Sequence, residues 1–307
     1  MIRRHNSTTM ADMDPELEPF VALLPTVDPG DPVAARKQHE TLAASVPADT
    51  TGLDVTDHLV GTGVPVRIYR PRAAVGAIVW LHGGGFVIGN LDTERPWASL
   101  LANASGVTVI SVAYRLAPEH PFPAALDDAY EVLTWAADNA VQLGIDPARI
   151  AVGGHSAGGG LAAAVALRAR DEGGPAIAFQ LLHQAGLDDR LQSWSALNVP
   201  ETPFASRAGT ADMWRYYLGG EPATALSAPA RATDLSGLPP AYVAAAELCP
   251  HRDEDVEYAM RLLQARVSVE LHVWPGTFHG SQAIVSADIS QRQNAELAGA
   301  LRRGVSQ

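Results

Sequence analysis

Ser156 lies within Gly154-His155-Ser156-Ala157-Gly158, itself part of a glycine-rich run over 153–160. The G-x-S-x-G spacing suits a serine nucleophile on a sharp strand-to-helix turn, where side-chain-free flanks let the strained backbone pack closely. The apolar run before it and the Ala-rich stretch after it supply such a strand and helix. A helix beginning there would aim the Ala157 amide at an oxygen gaining negative charge. Taken alone, the spacing also fits a glycine-rich turn carrying a serine by chance, or a phosphate-binding loop. The chain offers neither a Walker lysine nor an acidic ribose partner to favour a nucleotide.

A second glycine run, His82-Gly83-Gly84-Gly85-Phe86, directly follows an apolar stretch. Backbone amides can turn inward in such a loop because no Cβ intervenes. We assign Gly84 and Gly85 as donors alongside Ala157, and give His82 the work of bracing the loop. A third segment, Trp274-Pro275-Gly276-Thr277-Phe278-His279-Gly280, places a histidine late in the chain after a strand-like run. Of ten histidines, His279 is singled out as general base by that position after the nucleophile. A serine, a histidine and three amides are the parts of acyl transfer: attack on a carbonyl, proton transfer and charge stabilisation.

These residues need a scaffold that brings distant segments together. Strand-like runs occur at 54–60, 64–70, 73–83, 107–115, 149–155, 176–185, 241–247 and 267–274. Helical stretches at 93–105, 123–142, 157–172, 253–265 and 286–303 alternate with the later ones. That alternation predicts an α/β fold with an eight-stranded, mostly parallel sheet, the first two strands being antiparallel at one edge. Two segments depart from it: 10–46, helix-like with proline breaks, and 190–225, rich in Trp and Pro. We expect residues 1–50 to form N-terminal cap helices and 51–307 the core, with 190–225 a cap insertion over the carboxyl ends of the strands. Trp194, Phe204, Trp214, Tyr216 and Tyr217 would line an acyl or alcohol pocket, or pack that cap on the core.

The net charge of −12 over 307 residues argues against a nucleic-acid partner, which would need clustered Lys and Arg. A single cysteine, Cys249, excludes an internal disulfide. No apolar run reaches membrane-spanning length, and the N-terminal residues lack the apolar stretch of a signal peptide. A cytoplasmic location is the expectation, with Met10 an alternative start.

The motifs at 82–86, 154–158 and 274–280, with Tyr114-Arg115-Leu116-Ala117-Pro118-Glu119-His120-Pro121-Phe122-Pro123, resemble the hormone-sensitive lipase-like carboxylesterases, bacterial esterase family IV. The likeness runs from about residue 50 to 285. It implies an α/β-hydrolase core under a helical cap, hydrolysis of short-chain carboxylic esters of small molecules, and no cofactor or metal. Dimers are common in that family, which admits a homodimer here. Hydrolysis of amides, lactones or carbamates on the same residues, or a catalytically weak binding protein, are the alternatives.

Two positions depart from the family pattern. His155 stands where the family usually carries Asp. Cys249, in Glu247-Leu248-Cys249-Pro250-His251-Arg252-Asp253-Glu254, occupies the place of the catalytic aspartate. A neutral thiol accepts hydrogen bonds poorly, so another carboxylate must orient His279 or none does. Glu247 would face the same side as Cys249 on an extended strand, and we take it as the acid. Asp188 and Asp253 are the alternatives, a bare Ser–His dyad the remaining case. On this reading activity rises as the imidazole loses its proton near pH 6–7, lower if Cys249 leaves it unsupported.

Overall fold

The runs at 77–81, 108–112 and 150–154 carry apolar or small residues at every position, the pattern of strands covered on both faces. In the computed structural model, which describes residues 12–24 and 30–306, they form the centre of an eight-stranded sheet. The helices α1 (Glu18–Val21) and α2 (Pro32–Ala43) come first in the chain. They are followed by β1 (Leu53–Val60), β2 (Val64–Pro71), β3 (Ala77–Leu81), α3 (Arg95–Ser105) and β4 (Thr108–Val112). Next come α4 (Ala124–Asp138), α5 (Ala140–Leu143), β5 (Ile150–His155), α6 (Ala157–Glu172) and β6 (Phe179–His183). The chain closes with α7 (Trp194–Asn198), α8 (Arg207–Leu218), β7 (Ala241–Leu248), α9 (Arg252–Gln264), β8 (Val269–Phe278) and α10 (Asp288–Gly304).

The strand order is β1-β2-β4-β3-β5-β6-β7-β8. β1 pairs antiparallel with β2, and β2 antiparallel with β4; every later pairing is parallel. Alternation sorts the buried side chains of one strand into two cores. Ala77, Val79 and Leu81 join one with residues of α4, α6 and α9, while Ile78 and Trp80 join the other with residues of α3 and α10. The expected strands and helices all appear, β3, β4 and β6 shortened at both ends and β8 carried on to Phe278. The expected helix over 123–142 is interrupted at Asn139, which ends α4 and precedes the single turn of α5.

Parallel strands point their carboxyl ends the same way, so the loops after β3, β5, β7 and β8 meet at one edge. The two segments outside the alternation pack there. Asp31 caps α2 by accepting the Ala34 amide, and Ser206 caps α8 through the Gly209 amide. Ala35 of α2 packs with Val87, Ile88 and Ala117, against Met213 and Tyr216 of α8. Arg36 fastens α2 to the core: its guanidinium donates to the carbonyls of Val87 (2.7 Å) and Ala117 (2.8 Å) and pairs with Glu119. The alternative start at Met10 lies outside the described residues.

Candidate active site

β5 runs into α6 through Ser156, whose backbone adopts φ 56°, ψ −124°. A serine held at positive φ is strained, and the neighbours allow no wider turn. A Cβ at either Gly154 or Gly158 would drive into the carbonyl oxygen of Leu81 at the end of β3. The flanking glycines are therefore a consequence of strand–helix contact, and the turn lifts Ser156 to the sheet edge.

His279 follows β8 directly. Its Nε2 lies 2.9 Å from Ser156 Oγ. Gly280, in the left-handed region at φ 80°, reverses the chain, and its amide donates to Gln184 Oε1 at 2.9 Å. Gln184 follows β6 and itself adopts φ 49°. This support for the His279 loop had no signal in the sequence, because its partners lie almost a hundred positions away.

The other ring nitrogen, His279 Nδ1, lies 3.2 Å from Cys249 Sγ. The carboxylate expected there is absent, which corrects the choice of Glu247. A register shift between Ala246 and Leu248 breaks the alternation of β7, so the same-side argument from Glu247 to Cys249 fails. The Glu247 carboxylate instead accepts the Gly276 amide at 2.7 Å. Neither alternative reaches the ring. Asp188 pairs with Arg190, and Asp253 accepts the Ser195 amide at the start of α7 and pairs with Arg252.

Burial raises the Cys249 thiol well above its ordinary range, with the nearby Asp255 carboxylate adding to the effect, so the sulfur faces His279 as a neutral group. Burial also holds His279 well below the usual histidine value, assisted by His251, His155 and His183. The His251 amide donates to Cys249 Sγ at 3.4 Å, and the His251 ring meets His279 edge-on with centroids 5.2 Å apart. Behind it, His251 Nδ1 lies 2.8 Å from Glu254 Oε1. A carboxylate thus stands on this side one residue removed from His279.

The glycine loop completes the site. Gly84 (φ 108°) and Gly85 (φ 60°) lie between β3 and Phe86, and a Cβ on Gly85 would meet the Met213 thioether of α8. Among the described residues, the Gly84 and Gly85 amides have no hydrogen-bond acceptor, nor has that of Ala157. His82 turns away from Ser156: its Nδ1 bonds the Gly83 carbonyl at 2.7 Å and its ring stacks on Tyr114 at 4.2 Å. Burial lowers its pKa to about 4, so it stays neutral. Tyr114 in turn donates its hydroxyl to the His82 carbonyl at 2.7 Å.

The five aromatic residues divide. Phe204 packs beside Gly280, next to His279. Trp214 and Tyr217 are buried against Phe86 below the glycine loop, and Tyr216 donates to the Gly30 carbonyl. Trp194 is about half exposed, under Arg252. A cavity of about 380 Å³ opens between α2 and the loops after β3 and β4, lined by Arg36, His39, Glu40, Asn90, Glu119 and His120 among others; its lining does not include Ser156 or His279. One described group of His and carboxylates is close enough to share a metal: Glu270, His272 and Glu296. It lies toward the other end of β8 from His279, and Arg303 pairs with both carboxylates.

Known proteins are similar to this chain in sequence and fold. A family model described as the alpha/beta hydrolase fold matches residues 78–283. The carboxylesterase NlhH of Mycobacterium tuberculosis is 39% identical over 285 residues, covering 88% of each chain. Among solved structures, a bacterial heroin esterase superposes with a TM-score of 0.94 at 43% identity, over 98% of this chain and all of the other. The esterase LipW of Mycobacterium marinum gives a TM-score of 0.88 at 40% identity, over 97% of this chain and 98% of its own.

Proposed function

The chain belongs to the alpha/beta hydrolase family and is a carboxylic ester hydrolase, and from that premise we propose that Ser156 and His279 carry the reaction on short-chain esters of small molecules. The observation that bears most weight is the 2.9 Å contact between Ser156 Oγ and His279 Nε2 at the strained turn. His279 Nε2 takes the hydroxyl proton as Oγ attacks the ester carbonyl. The amides of Gly84, Gly85 and Ala157 receive the oxygen that becomes negative. The imidazolium then returns its proton to the departing alcohol, leaving an acyl-serine that water cleaves by the same route.

Cys249 leaves the tautomer of His279 open. For Nε2 to accept from Ser156, the ring must carry its proton on Nδ1 and donate it to Cys249 Sγ. A neutral thiol can also act as donor, which would leave the proton on Nε2 facing Ser156 as N–H. An aspartate admits only the first arrangement; the thiol admits both, and it places no charge beside the imidazolium. Reduced turnover relative to carboxylate-bearing relatives follows from both effects. We read the segments around α2 and α8 as a cap over the site, and 51–307 as the catalytic core. Among the described residues, no helix is long and apolar enough to cross a membrane. The acidic surface suits a cytoplasmic enzyme without a nucleic-acid partner, whether monomeric or a homodimer.

Replacing Ser156 by Ala removes the nucleophile. Hydrolysis of p-nitrophenyl acetate and butyrate by Ser156→Ala is expected to fall to the level of the oxyanion donors alone, a loss of several orders of magnitude. Retention of wild-type turnover would take Ser156 out of its role.

A further inference from the structure

His155, immediately before the nucleophile, is turned away from it. Its ring lies between Trp80 (centroids 6.1 Å apart) and Trp97 (6.0 Å). One ring nitrogen, Nε2, meets two groups: the Gly83 amide at 3.1 Å and Glu94 Oε2 at 3.3 Å. The demands of these neighbours are opposite. Gly83 N–H needs a lone pair, whereas the carboxylate needs a proton. Glu94 is buried and already held at its other oxygen by the Trp80 indole N–H at 2.6 Å. The described residues offer the Gly83 amide no acceptor other than His155. A Cβ on Gly83 would lie 2.6 Å from the ring, so loop and imidazole are in direct contact. Gly83 is the residue before Gly84 and Gly85.

We infer that His155 is a positioning residue for the oxyanion loop: with its proton on Nδ1, it holds the Gly83 amide on Nε2 and thereby aims the two amides that follow. The inference rests on the role given above to Gly84 and Gly85. The two indoles fix the plane of the ring, so the acceptor is presented at one place. The oxyanion forms only on the way to the transition state, so a loosened loop lowers turnover more than it weakens substrate binding.

The test compares three variants with p-nitrophenyl butyrate, each checked by thermal melting. His155→Phe keeps a ring between the two tryptophans and removes the acceptor. Its kcat is expected to fall about 100-fold, the order of loss for a small misplacement of catalytic groups, with KM little changed. His155→Gln supplies a carbonyl acceptor for Gly83 and an N–H donor for Glu94 from one amide, and is expected to retain kcat within about threefold of wild type. If His155→Phe does not fold, His155→Leu takes its place. A folded Phe or Leu variant with wild-type kcat would overturn the inference, as would equal losses in the apolar and Gln variants or an effect confined to KM. If Ser156→Ala abolishes hydrolysis while the apolar variant does not impair it, the positioning role fails and the esterase mechanism stands.

Discussion

His279 is buried between Ser156 and Cys249, and that position fixes the sign of its pH response. Desolvation disfavours the imidazolium, and no carboxylate touches Nδ1 to offset it. The neutral, proton-accepting form therefore persists to lower pH than for a free histidine. Activity is lost only as pH falls through the lowered pKa. The acid limb of kcat/KM should accordingly lie below pH 6.5, rather than in the pH 6–7 range expected for an unperturbed base. A limb at or above 6.5 in a pH–rate profile would count against burial as the dominant influence. Ser156 could be read from its glycines because the close contact with Leu81 constrains residue type at the turn itself. Gln184, Glu94 and Glu254 could not, since each works through partners brought close only by the sheet. Glu247 was misplaced because a single register shift in β7 defeats a two-residue period.

At the scale of elements, the strands of the sheet were legible as apolar runs, and α6 as the Ala-rich stretch following the elbow. The helices outside that alternation were legible only as departures from it. Their placement depends on long-range bonds such as those of Arg36, three-quarters buried, which spans α2, the loop after β3 and the loop after β4. Removing a charged donor from two backbone carbonyls and one carboxylate should destabilise this corner by about 2 kcal/mol. For Arg36→Ala, a lowered urea midpoint is expected, together with faster protease cleavage near α2. An unchanged midpoint and cleavage pattern would mean that the apolar contacts of Ala35, Met213 and Tyr216 hold α2 without it.

Across the whole molecule, the parallel sheet delivers three residues far apart in the chain to one edge: Ser156 after β5, Cys249 after β7 and His279 after β8. The geometry of a catalytic triad is preserved around a residue that lacks the charge of its third member. The central claim is therefore that the scaffold is competent and the anion is missing. Turnover of Cys249→Asp on p-nitrophenyl butyrate, measured after its fold is checked by circular dichroism and thermal melting, tests this most directly. A carboxylate at that place would force the productive tautomer and stabilise the imidazolium formed as Ser156 attacks. The account predicts a rise in kcat of about tenfold or more, with the acid limb moving to higher pH. A folded Cys249→Asp enzyme with unchanged or lower kcat would contradict it.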